Sequence, residues 1–214
     1  MKRTLLILIA GAFLLTIVSG CGDDDPTSVT TLEYSSVENY TLAVSDNPIL
    51  TVDDFVGGIS VVPGVSDTIR VTATRRAARE QDLNKIVIAV TSTSNEIDIT
   101  AQNPSELQNV EADFEISVPP GTKVELISDV GNILYRGRPR DINRFNVGVG
   151  SIALYLPANV NVYVDLSVSV GSVSSSFIVD GTVSNTRILG LIGSGADGEI
   201  RASTNVGNIE VLSY

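Results

Sequence analysis

Four arginines, Arg136, Arg138, Arg140 and Arg144, crowd together in a chain whose formal net charge is −11. Guanidinium groups match carboxylates and phosphates in a bidentate fork, so such a cluster can grip the anionic groups of a glycan or lipopolysaccharide. The simpler and favoured reading is a solvated loop in which these arginines pair with Asp141 and other acids, because surface pairs are common and weak. Gly137 and Pro139 exclude a regular helix or central strand, so the segment is expected to be a loop.

Other residues capable of chemistry carry weaker patterns. Asp53-Asp54 could hold a hard cation, but two adjacent carboxylates without further ligands are expected to be simply exposed. Gly193-Ser194-Gly195-Ala196-Asp197 has half the form of a calcium-binding nonapeptide; it occurs once, and a tight turn is expected. Asp113, Glu115, Glu125 and Asp129 are available to a polysaccharide-cleaving enzyme, yet their spacing is that of strand alternation. Tyr135 and Tyr155 each follow a Val-Gly unit and are expected to stack on one another rather than face a sugar. No metal site, cofactor or catalytic residue is assigned, and the chain is expected not to be an enzyme.

The composition removes several chemistries outright. Histidine is absent and Cys21 is the single cysteine. An internal disulfide, a histidine base, and zinc sites built from Cys or His are therefore excluded. The acidic balance also argues against nucleic acid as a partner.

The first residues set an address. Lys2 and Arg3 precede an apolar run from Leu5 to Val18, too short for a comfortable membrane span, which needs about 20 residues. Val18-Ser19-Gly20-Cys21 resembles the bacterial lipobox. That resemblance implies cleavage after Gly20 and lipidation of Cys21, with two or three acyl chains giving stable anchoring. Residues 1–20 are thus expected to be a lipoprotein signal peptide and residues 21–28 an acidic tether. Gly22, where a retention signal would place aspartate, points to the outer membrane, with the face left open.

The body reads as strands. Ala112, Phe114, Ile116 and Val118 alternate with Asp113, Glu115 and Ser117, and Ile97 and Ile99 alternate with polar neighbours. Thr91 to Asn95 reads as a hairpin turn, and Arg75 to Asn84 as a short helix or ordered loop.

Periodicity then decides the architecture. Val130-Gly131-Asn132-Ile133 recurs as Val149-Gly150-Ser151-Ile152, Val170-Gly171-Ser172-Val173 and Val206-Gly207-Asn208-Ile209, with looser copies at Val56-Gly57-Gly58-Ile59 and around Gly198. The glycines lie 19, 21 and 36 residues apart, and Gly190 falls near the midpoint of the last interval. A period of about 20 residues suits one coil of a β-solenoid, with glycine at the corner, the flanking Val and Ile pointing inward, and Asn or Ser bonding its local backbone. The fold expected is all-β: a β-solenoid or β-helix-like repeat region over 112–214, preceded by antiparallel strands over 29–111. A β-sandwich turning at Val-Gly hairpins is the alternative.

The segment Phe114-Glu115-Ile116-Ser117-Val118-Pro119-Pro120-Gly121-Thr122, followed by the Val-Gly-Asn-Ile units, resembles the bacterial putative-adhesin family also called DUF4097, over roughly residues 40–214. The resemblance implies an envelope-associated, solenoid-like β domain and brings no catalytic residues. The expected function is therefore a lipid-anchored envelope protein, an adhesin or binding module. Its partners would be the membrane, through the lipid on Cys21, and a glycan or envelope protein. A structural or stress-response accessory without its own ligand is the alternative.

Overall fold

A computed structural model describes residues 31–65 and 67–214. The expected signal peptide, Cys21 and the expected acidic tether lie outside the described residues. What is described is all-β, a single sheet of 15 strands with one short helix.

The strands are β1 Tyr34–Ala43, β2 Ile49–Val56, β3 Ile59–Pro63 and β4 Thr68–Ala77, then β5 Val87–Ser92 and β6 Glu96–Gln102 after the helical turn α1, Glu80–Leu83. They continue as β7 Val110–Val118, β8 Lys123–Val130, β9 Ile133–Arg136, β10 Asp141–Val149, β11 Ile152–Leu156 and β12 Val162–Ser175. The last three are β13 Asp180–Val183, β14 Arg187–Ile192 and β15 Gly198–Ser213. The helix expected over Arg75–Asn84 shrinks to that one turn. Arg75, Arg76 and Ala77 instead extend β4, because pairing with β1 and β7 on both edges outweighs a weak local helix preference.

Two parallel ladders meet at a line of glycines. On one side β2, β8, β10, the first half of β15 and the first half of β12 pair in parallel, and β6 pairs with β2 at the far end. On the other side β3, β9, β11 and the second halves of β15 and β12 do the same, with β7 beside β3. Parallel pairing thus begins at β2, inside the amino-terminal part, and the two sequence regions share one sheet. Antiparallel strands lie at the ends: β5 on β6, β1 and β4 beyond β7, and β13 and β14 beside β12.

Each Val-Gly-x-Ile unit forms a corner. Gly57, Gly131, Gly150, Gly207 and Gly171 have φ between +135° and +158°, a region where side chains are strained. A Cβ on Gly131, Gly150 or Gly171 would sit 1.7 Å from the carbonyl oxygen of the glycine in the neighbouring layer, so backbone approach as well as φ requires glycine. The residue after it reaches across layers. Ser151 N–H donates to Asn132 Oδ1 (2.9 Å), Asn208 N–H to Ser151 Oγ (3.3 Å) and Ser172 N–H to Asn208 Oδ1 (3.0 Å). These bonds tie one layer to the next instead of closing a turn on the residue's own backbone.

The fourth residue points inward. Ile59, Ile133, Ile152, Ile209 and Val173 stand in register as one buried column. A second column runs Val52, Leu126, Phe145, Ala202 and Leu166, the small Ala202 beside the bulky Phe145. Each of the larger side chains in these columns contributes about 1.5–3 kcal/mol through burial. The valine before the glycine, expected to face inward, does not. Val130, Val149, Val206 and Val170 are 45%, 49%, 45% and 62% exposed. Between buried Ser128 and buried Ile133 the chain bulges round the corner, and strand alternation is interrupted there.

The layers do not follow chain order. β12 is laid down before β15, yet β15 pairs with β10 and β11 on one edge and with β12 on the other. The long interval between Gly171 and Gly207 holds the β13–β14 hairpin, not another coil. Gly190 lies in β14 opposite Gly181, and Gly198 opens β15.

Candidate functional site: a cleft rimmed by arginine

The strands of the second ladder end together. β3 ends at Pro63, β7 at Val118-Pro119, β9 at Arg136-Gly137, β11 at Leu156-Pro157 and β15 just before Tyr214. Proline stops a ladder because it lacks an N–H. These ends and the loops leaving them enclose a cleft of about 430 Å³. Its lining is mainly the rings of Pro63, Pro119, Pro139, Pro157, Tyr135 and Tyr214, and Arg136, Arg138 and Arg140 also line it.

The arginine loop is held in place by a buried amide. Asn143, fully buried, donates through Nδ2 to the Arg140 carbonyl (3.0 Å) and accepts from Val124 N–H (2.9 Å). Asp141 follows at φ 52°, a left-handed position that asparagine and aspartate tolerate best after glycine.

The four arginines differ in what they touch. Arg138 is committed: it bonds Asp197 and Asn159, and Asp197 also accepts Asn161 N–H (2.8 Å). Arg144 lies apart on β10, its guanidinium 4.0 Å from Glu125 on β8. Arg136 lies 4.1 Å over the Tyr214 ring and makes no ion pair among the described residues. Arg140 likewise has no carboxylate partner among them; its side chain passes over Gly121. The cluster thus divides into two committed and two available cations. Asp141, the expected local partner, pairs with neither.

Tyr135 forms the floor. It is 3% exposed and packs on Phe145 with ring centroids 5.2 Å apart. Burial, with Tyr214 beside it, pushes its phenol up from the usual tyrosine range. Its hydroxyl makes no hydrogen bond to another described residue, and a Cβ on Gly137 would lie 2.9 Å from it. The stack expected between Tyr135 and Tyr155 is absent. Tyr155 is in register with Arg136 and Tyr135 with Leu154, so the two rings point to opposite faces. A one-residue offset after the glycine is enough to do this.

The remaining candidates fall elsewhere. Gly193 to Asp197 forms a tight turn, with φ 62° at Gly193 and 74° at Gly195 and Ser194 N–H donating to Asn161 Oδ1 (3.0 Å). Asp113 accepts Gly58 N–H and lies 2.7 Å from Arg76, so the acidic residues available for catalysis are in part engaged. Asp54, expected to be exposed, is 1% exposed, and neither carboxylate oxygen has a well-aligned partner. Burial first, and the Asp113 charge second, push its carboxyl up to about 8, against a smaller opposing pull from the Val56 and Phe55 amides. Among the described residues no group of three or more His, Cys, Asp or Glu is placed to hold a metal, and no helix is long and apolar enough to cross a membrane.

Solved structures resemble this one to different degrees. A putative cell adhesion protein from Clostridium sporogenes superimposes with a TM-score of 0.52 over 84% of this chain and 100% of its own, at 16% identity. The two share a fold. A putative adhesin from Bacteroides fragilis aligns over 83% of this chain and 97% of its own, with a TM-score of 0.31 and 10% identity. No protein-family model and no curated protein sequence matches the chain.

The proline walls of the cleft and Tyr214 were missed by sequence reasoning, which had named Tyr135. Their signal is the strand-ending proline, visible as Val62-Pro63, Val118-Pro119 and Leu156-Pro157.

Proposed function

We propose that the protein is a lipid-anchored cell-envelope protein that binds a glycan or an envelope protein as an adhesin, without catalysing a reaction. The layered parallel ladders and the line of corner glycines support reading its body as a β-solenoid-like stack. Such a stack gathers the ends of distant strands at one place, and here they make the cleft. One observation carries the reading: an apolar cleft in an acidic chain whose rim holds two arginines, Arg136 and Arg140, without carboxylate partners among the described residues. Arginines without an acid partner, gathered at one cleft, suit an external anion. The fold shared with the Clostridium sporogenes protein is consistent with a role in adhesion.

Anchoring would be through Cys21, by the lipobox-like residues before it. Labelled palmitate should enter the protein in its bacterial host and should be lost from Cys21→Ser. Binding is tested by screening the purified protein on a glycan array and against detergent-solubilised envelope proteins. A specific glycan hit supports a binding module. A reproducible protein partner with no glycan hit would support an accessory role, and release of unsaturated or reducing sugar ends would overturn the non-enzymatic reading.

A further inference from the structure

The cleft combines three features that ordinary surface loops lack. Its walls include rings: Pro63, Pro119 and Pro157 at the ends of strands, together with Tyr135 and Tyr214. Proline rings and aromatic faces both offer apolar surface to the C–H face of another ring. Its floor carries a polar group, since Tyr135 is only 3% exposed and its hydroxyl lacks a hydrogen-bond partner among the described residues. That hydroxyl opens to the cleft, so an occupant that supplies an acceptor takes the place of water there. Its rim carries two cations. Arg136 lies over the Tyr214 ring, and its guanidinium has no carboxylate partner among the described residues. Arg140 is anchored at its backbone by Asn143, while Asp197, the acid lining the cleft, is already taken by Arg138 and Asn161 N–H.

We infer that the cleft seats one anionic sugar residue, its ring on the proline and tyrosine faces, a hydroxyl at Tyr135, and its carboxylate or phosphate between Arg136 and Arg140. This rests on the binding-module reading above and narrows it to a ligand class. The volume of about 430 Å³ admits one ring and its charged substituent, with the rest of a chain left in solvent. Arg138 holds the loop shape and Arg144 takes no part.

The test uses the purified protein and four probes: D-glucuronate, D-glucose 6-phosphate, D-glucose and inorganic phosphate, followed by NMR shifts and calorimetry. Glucuronate or glucose 6-phosphate should shift the Tyr135 and Tyr214 ring signals, binding at least about tenfold more tightly than glucose or inorganic phosphate. Which anionic sugar binds tells carboxylate from phosphate. The double variant Arg136→Gln/Arg140→Gln should lose about tenfold or more in affinity, and Arg144→Gln should lose nothing, with all three proteins melting alike. Equal binding of glucose and glucuronate, unchanged affinity in the double variant, or no ring shift with any probe overturns the inference. If the glycan screen still finds a neutral sugar or a protein, the binding-module reading survives that failure. If the screen is also blank, both fall.

Discussion

Replacing Asp54 by asparagine should stabilise the protein strongly at neutral pH and hardly at all in acid. Asp54 is sealed beneath the first glycine corner, with Asp113 and Asp53 as its acidic neighbours and Arg76 spent on Asp113. Its carboxyl, pushed up to about 8, compares with 3.8 for an exposed aspartate. Between those values the native state keeps a proton that the unfolded chain has released, so stability is fully present below about pH 4 and falls as pH rises towards 8. Each pH unit in that window costs about 1.4 kcal/mol, so the native state loses on the order of 4 kcal/mol between pH 4 and pH 7. The amide of the Asp54→Asn variant cannot ionise and escapes the loss. Because the sequence has no histidine, no imidazole titrates across the same window. Urea unfolding of both proteins at several pH values from 4 to 8 measures the difference. The wild type should weaken steadily, and Asp54→Asn should gain on it by roughly 4 kcal/mol at pH 7. A gap between the two that stays constant with pH would show that Asp54 is hydrated or paired in solution, and the argument from burial would fail.

The corner and core give three further expectations. Gly150→Ala places a methyl 1.7 Å from the Gly131 carbonyl at φ 142°, so it should cost more than about 3 kcal/mol in urea unfolding or prevent folding altogether. Phe145→Ala removes the largest member of its column and should cost about 3–5 kcal/mol, read as a lower denaturation midpoint. Asn208→Ala removes the acceptor of both Ser172 N–H and Ser172 Oγ at an exposed corner, for about 1 kcal/mol, with faster amide exchange at Ser172.

The repeat was legible because each of its positions answers to a local physical demand. Glycine is required where a backbone carbonyl occupies the place of a Cβ, and isoleucine recurs where one column is buried. The direction of the valine was not legible. Counting by two back from Ile133 places Val130 on the outer face, whereas counting on from Val124, Leu126 and Ser128 places it inside. Only the outward bulge between Ser128 and Ile133 decides the matter. Tyr135 and Tyr155 part for a simpler reason: they stand four and five residues after their glycines, and so face opposite ways. Asp54 failed for a related reason: in a strand, burial depends on which face the neighbouring layer covers, and two adjacent aspartates necessarily face opposite ways.

The position of β15 shows why sequence order cannot give spatial order in a repeat. Every layer offers its neighbours nearly the same edge, so the units at Gly150, Gly171 and Gly207 are almost interchangeable as partners. What distinguishes them is the β13–β14 hairpin, which pairs antiparallel on β12 and occupies its outer edge. The edge left to the last strand is the gap between β12 and β10–β11, and there β15 makes two parallel pairings along its length. That arrangement also completes the cleft. Asp197, just before β15, reaches Arg138, and Tyr214, just after it, lies under Arg136. The arginines were visible as a cluster in the sequence, but their division into held and available groups depends on residues far along the chain, brought back by a strand that folds into the middle of the stack.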